Sequence, residues 1–128
     1  MLHETEPVAG RDLAVLAESL YLANLLLLPG LAFLGLLYLY FNHRYSAPNL
    51  AVCHLCQTLA ASLWAGALLF LVNGLILLLG GYHGVKTWLL MILYFTVCHS
   101  ALVLLGIFGL AKAMAGQCFR YPLVGRPL

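Results

Sequence analysis

The sequence predicts an all-α integral membrane protein with three transmembrane helices in an up-down-up bundle. Three observations predict it. Of the 128 residues, 64% are hydrophobic and 8% charged, against about 25% charged in an ordinary soluble domain. Mean hydropathy is +1.01. Apolar runs over about 20–41, 50–79 and 87–111 each reach the roughly 20 residues that cross a hydrocarbon core of about 30 Å.

Residues 1–12 form a polar leader with Pro7 and Gly10, and 13–116 form the three-helix unit. Pro29 interrupts the first run and Gly30 follows it. A kink is expected there, because neighbouring groups in a membrane re-satisfy the freed carbonyl. Tyr38, Tyr40 and Phe41 precede Asn42-His43-Arg44-Tyr45, an aromatic belt followed by a basic loop. Pro48 suits the first turn of the second helix. That helix carries a small-residue stretch in which Ser62 and Gly66 have the spacing of close helix approach. The Gly80-Gly81-Tyr82-His83-Gly84 segment reads as a tight turn, which makes the second and third helices antiparallel neighbours. From Trp88 to Leu110 the third helix has no Asp, Glu, Lys or Arg. In the tail, 117–128, Pro122 and Pro127 exclude regular helix.

Charge placement narrows function further. All four acids, Glu4, Glu6, Asp12 and Glu18, lie in the first 18 residues. Carboxylate-based hydrolysis and hard-cation sites are therefore not expected in the membrane body. A net charge of +2 gives no reason to expect nucleic acid. With three spans, Arg44, Lys112, Arg120 and Arg126 share one side and Arg11 and Lys86 the other. The positive-inside rule then puts the C-terminus in the cytoplasm and the N-terminus outside, with Glu18 within reach of Lys86.

Few residues could carry chemistry. His99 lies deep in the third helix, and helical rise puts Asn24 and Gly66 at similar depth. His99 reads as a packing group bonded to another helix, or as a haem or metal ligand. His54 is offset from it by about 15 Å along the normal, too far to share a haem. Cys53-His54-Leu55-Cys56, with Cys118 on the same side, could form a zinc site. Cytosolic thiols stay reduced, so disulfides are not expected. Asn24, Ser62, Gly66, Asn73 and His99 are candidates for helix packing or subunit contact. Arg44, Lys112, Arg120, Tyr121 and Arg126 are candidates for lipid headgroups or a partner.

One wider pattern stands out. It joins Pro29-Gly30 in the first span, a polar turn leading to a helix start that ends in Gln57, and a glycine-rich second loop. Ala111-Lys112-Ala113, Gly116 and Arg120-Tyr121-Pro122-Leu123 complete it. It resembles small bacterial three- or four-helix membrane proteins of unknown function, related to the chloroplast inner-envelope import component and to magnetosome membrane proteins. The resemblance covers roughly residues 21–123. It implies a non-enzymatic helical membrane protein working within an assembly.

The expected function is thus a non-catalytic accessory subunit of a larger complex in a bacterial inner membrane, with a respiratory or redox assembly as one setting. Its partners would be the bilayer and other membrane subunits, with no cofactor. The alternatives are a haem- or metal-binding membrane protein using His99 or the Cys53, His54, Cys56 group, and a homo-oligomeric channel or translocation component.

Overall fold

A computed structural model describes residues 9–121. The leader up to residue 8, Arg126 and the rest of the tail beyond Tyr121 lie outside the described residues. The elements are α1 (Arg11–Leu26), α2 (Leu31–His43), α3 (Asn49–Gly66), a π-helical turn (Ala67–Leu71), α4 (Val72–Gly80) and α5 (Val85–Met114). Among the described residues every regular element is helical. Two continuous helices are long and apolar enough to cross a membrane: Asn49–Gly80, of 32 residues, and Val85–Met114, of 30.

The first expected span is corrected. Instead of one kinked helix over 20–41, the chain makes a hairpin of α1 and α2. Three local features turn it. Pro29 lacks an N–H and disfavours helical geometry at Leu28. Gly30 adopts φ 88°, a conformation that other residues rarely reach. The Gly30 N–H, left over by the turn, donates to Asn24 Oδ1 at 2.9 Å. The two arms then pack, and Leu20 lies against Gly35.

This reversal moves the start of α1 to the other end of the molecule. Gly10 packs against Pro48 and Ala51, and Glu18 packs against Gly109 near the end of α5. The N-terminal side of α1, the α2–α3 loop and the tail therefore share one end. The start of α1 and the end of α5, expected at opposite ends, thus lie at the same end. Glu18 is likewise separated from Lys86, since 109 and 86 are roughly 34 Å apart along α5.

Small residues set the packing at the shared end. Ala14, Ala17, Glu18 and Tyr21 form the buried stripe of α1. It lies on Leu102, Gly106, Gly109 and Ala113 of α5, whose spacing of three and four residues keeps one helix face. A Cβ at Gly109 would sit 2.5 Å from Glu18 Oε2 and 2.6 Å from Tyr121 Oη. At Gly106 it would sit 2.7 Å from Tyr21 Cε1. Four helices meet here. At the opposite end, among the described residues, only α4, the π turn and the first half of α5 remain.

We expect Gly109→Ala to cost about 1–3 kcal/mol in reversible unfolding in detergent, as overpacking does. Gly74, where a Cβ meets nothing within 4 Å, is the control, and Gly74→Ala should stabilise by roughly 0.5–1 kcal/mol.

Candidate functional site

A buried polar lock occupies the four-helix end. Its parts come from α1 (Glu18), α3 (His54 and Gln57) and the tail (Gln117 and Tyr121). Glu18, His54 and Tyr121 are each fully buried. His54 Nε2 lies 2.8 Å from the Gln117 carbonyl. A carbonyl only accepts, so Nε2 carries a proton and donates it. His54 Nδ1 lies 2.6 Å from Glu18 Oε1 with one proton between them. Wherever that proton rests, the pair is neutral overall, which is the condition for keeping it inside an apolar body. The Tyr121 hydroxyl donates to the other carboxyl oxygen, Oε2. Burial, and then the adjacent Glu18 carboxylate, push the Tyr121 phenol far above its ordinary range, so it stays a donor. The Tyr121 N–H donates to Gln57 Oε1 at 3.3 Å.

The tail reaches this site through a turn that closes α5. Gly116 takes φ 73°. The Gly116 N–H donates to the Ala113 carbonyl at 3.0 Å and the Gln117 N–H to the Lys112 carbonyl at 2.9 Å. This is the Schellman pattern, which satisfies the last carbonyls and reverses the chain. Residues 117–121 then run back over α1 and α3. Tyr121 meets the Tyr21 ring edge-on, with centroids 5.2 Å apart, and the Tyr21 hydroxyl donates to the Leu102 carbonyl at 3.0 Å. A Cys53–Cys118 disulfide, with Cα atoms 6.0 Å apart, staples the tail to α3.

These placements correct several expectations. In the structure Cys53 and Cys118 are joined to each other instead of being gathered around a metal, so the geometry admits a disulfide that reducing conditions were expected to exclude. Both ring nitrogens of His54 are hydrogen-bonded, and Cys56 is free. Among the described residues no group of three or more His, Cys, Asp or Glu is placed to hold a metal. Tyr121 is buried rather than facing headgroups. Of the other expected surface contacts, Arg120 is exposed, Lys112 donates to Gln117 Oε1, and Arg44 stacks over Tyr45, 4.6 Å from the ring centroid. Of the lock's members sequence reasoning missed Gln57, Gln117 and, most consequentially, Glu18. Its signal is the spacing of Ala14, Ala17, Glu18 and Tyr21, one continuous helix face that includes a carboxylate.

A second polar region lies at mid-depth, around the hairpin tip and the π turn. His99 Nε2–H donates to the Leu25 carbonyl at 2.9 Å. Asn24, Ser62, Gly66 and His99 all line one cavity, with open space in place of a close helix approach at Gly66. The π turn leaves carbonyls without their usual partners. The Tyr94 hydroxyl donates to the Leu68 carbonyl at 2.9 Å, and the Asn73 amide donates to the Leu69 carbonyl. Asn73 is thus bound to its own helix, while its Oδ1 and the Ser62 hydroxyl are buried without a partner.

Chemically, the lock holds rather than reacts. Its carboxyl, imidazole and phenol are committed to one another and closed to solvent. Removing one member of the ion pair should cost about 3–5 kcal/mol, since the other is left buried alone. We expect Glu18→Ala and His54→Ala each to destabilise by that order. The double variant should lose clearly less than their sum, read as a coupling energy in a double-mutant cycle. Additive losses would rule out the pair. Cys118→Ser opens a loop of 65 residues and should lower stability by up to about 4 kcal/mol, with limited proteolysis reporting release of the tail.

No family model, no curated protein and no solved structure matches this chain.

Proposed function

We propose that the chain is a non-catalytic accessory subunit of a larger assembly in a bacterial inner membrane. The observation that carries this reading is the uncovered half of the molecule. Among the described residues α4 packs only on α5 and the π turn. Leu71, Leu75, Leu78 and Leu79, with Leu89 and Leu93 of α5, are left exposed. In water such a surface would drive aggregation. In a bilayer it is lipid-facing, or it is the seat of another subunit's helices. The sealed lock supports the same reading, because Glu18, His54 and Tyr121 are used for structure.

In this reading α3 with α4, and α5, cross the membrane, while the α1–α2 hairpin enters and leaves from one side. Arg11, Arg44, Lys112 and Arg120 gather at the shared end and Lys86 lies at the other. The positive-inside rule therefore places the shared end in the cytoplasm. The Cys53–Cys118 pair then faces cellular reductants, where disulfides are rarely permanent.

Two measurements test the proposal. Extraction in a mild detergent followed by native mass spectrometry should show the chain bound to at least one other membrane protein; a lone monomer under every mild condition would sink the subunit reading. In acid-quenched cells, Cys53 and Cys118 should be alkylated as free thiols by a membrane-permeant reagent and spared by an impermeant one. A pair already oxidised in the cell would place this end outside.

A further inference from the structure

The mid-depth cavity measures about 660 Å³, within the ordinary range for small-molecule sites. Phe33, Phe70 and Phe95 supply much of its apolar wall, and no Lys, Arg, Asp or Glu lines it. A second hollow of about 350 Å³ continues from it, sharing Leu69, Phe70 and Phe95. The shape is a trough along the π turn and α5, with the hairpin tip at one end.

Within this apolar trough the first cavity holds two polar groups with unmet capacity. Ser62 is 5% exposed and its hydroxyl has no partner. A buried polar group in that condition is destabilising until something bonds to it. His99 is the other. Its Nε2–H is given to the Leu25 carbonyl, which in the tautomer bearing that hydrogen alone leaves Nδ1 as an acceptor. The ring lies stacked on Phe95, with centroids 5.3 Å apart and planes 12° apart, which fixes its orientation. Besides the Asn24 amide, whose oxygen already accepts from the Gly30 N–H, the cavity offers one acceptor and one hydroxyl that can donate or accept, with no Asp, Glu, Lys or Arg to hold a phosphate, carboxylate or ammonium.

We propose that this trough binds a single-chain lipid carrying an uncharged hydroxyl, of the long-chain alcohol class. The ligand O–H donates to His99 Nδ1, and its oxygen accepts from the Ser62 hydroxyl. The hydrocarbon chain runs between Phe70 and Phe95 into the second hollow. An acyl tail alone would fill the volume but leave Ser62 unpaired. A charged lipid would bury its headgroup without a counter-charge. The inference rests on the membrane reading above and adds a ligand class to it.

The test uses the full chain reconstituted in phosphatidylcholine vesicles. One probe is a long-chain primary alcohol bearing a diazirine and an alkyne; the other is the matching hydrocarbon without the hydroxyl. The alcohol should crosslink to peptides containing Phe33, Phe70 or Phe95 and be displaced by excess hexadecanol. Ser62→Ala and His99→Phe should each weaken capture by roughly three- to tenfold, the worth of one hydrogen bond. Ser62→Thr, which keeps the hydroxyl, should retain capture. The hydrocarbon probe should not distinguish these variants from the wild type, which also shows that they fold. Equal capture of both probes, or capture indifferent to Ser62 and His99, overturns the proposal. So does a crosslink in native membranes from Phe95 to another protein's helix in place of the alcohol. Release of the chain from membranes by alkaline carbonate would overturn the membrane reading itself, and an inserted chain that fails to discriminate the probes overturns only the ligand.

Discussion

A carboxylate inside an apolar body has to be paired, and Glu18 imposes that constraint on the whole four-helix end. Left alone there, an ion is penalised by several kcal/mol. His54 neutralises it at 2.6 Å, Tyr121 donates to its second oxygen, and the Gln117 carbonyl takes the remaining imidazole proton. Each partner demands a piece of architecture. His54 requires α1 to run beside the start of α3, so the chain must reverse at Pro29 and Gly30. Tyr121 and Gln117 require the tail to fold back, so α5 ends in a left-handed Gly116. The carboxyl group and the phenol need room beside α5, which Gly109 provides by having no side chain.

The distribution of polarity fits an apolar solvent. Large hydrophobic side chains such as Leu78, Leu79, Phe70 and Leu89 are exposed. The buried set includes Glu18, His54, Gln57, Thr58, Ser62 and Asn73. In water this would expose the groups whose burial stabilises most. In lipid tails, apolar contact between helices gives no such advantage, and small residues with internal hydrogen bonds hold helices together instead. Ala14, Ala17, Gly106, Gly109 and Ala113 give the close approach, and the polar network gives the specificity. Among the described residues the two-helix end has neither a network of that size nor a third helix, so its side chains face whatever surrounds the protein.

Much of this was legible in the residues, within limits that have physical causes. The uninterrupted run of α5, the length of the 49–80 helix and the antiparallel turn at Gly80–Gly84 follow from hydropathy and glycine chemistry alone. Asn24, Gly66 and His99 line one cavity, although the single first span along which the depth of Asn24 is counted is a hairpin. The hairpin was not legible because a proline in an apolar run is compatible with a kink as well as a reversal. Here Gly30 and the Asn24 side chain decide between them, through a positive φ and a cap that only the folded turn makes visible. Glu18 was hidden by its neighbours: Arg11, Asp12 and Ser19 make the segment look solvated, although its Ala-Ala-Glu-Tyr face is continuous. The π turn leaves no mark in composition, and Asn73 took its meaning only from the carbonyl that the turn exposed. The pairing of Cys53 with Cys118 depended on the tail's return, and so on Gly116.

The tail is where these strands of cause converge. Its described residues are held by the disulfide at Cys118, by the Gln117 carbonyl on His54, and by Tyr121 on Glu18 and Gln57. These holds are adjacent in sequence, so they are not independent. While the disulfide is closed, Gln117 and Tyr121 are presented to their partners at high effective concentration, and their hydrogen bonds form at little further entropic cost. With it open, the same bonds must order the segment by themselves. They also carry a burden the disulfide does not, because losing Tyr121 removes a donor from a buried carboxyl oxygen. The covalent link therefore acts on the population of the closed tail, while the chemistry that makes closure favourable resides in Glu18. That ordering explains why a chain with one deep carboxylate needs its last turn folded inward, whatever the redox state of the cysteines.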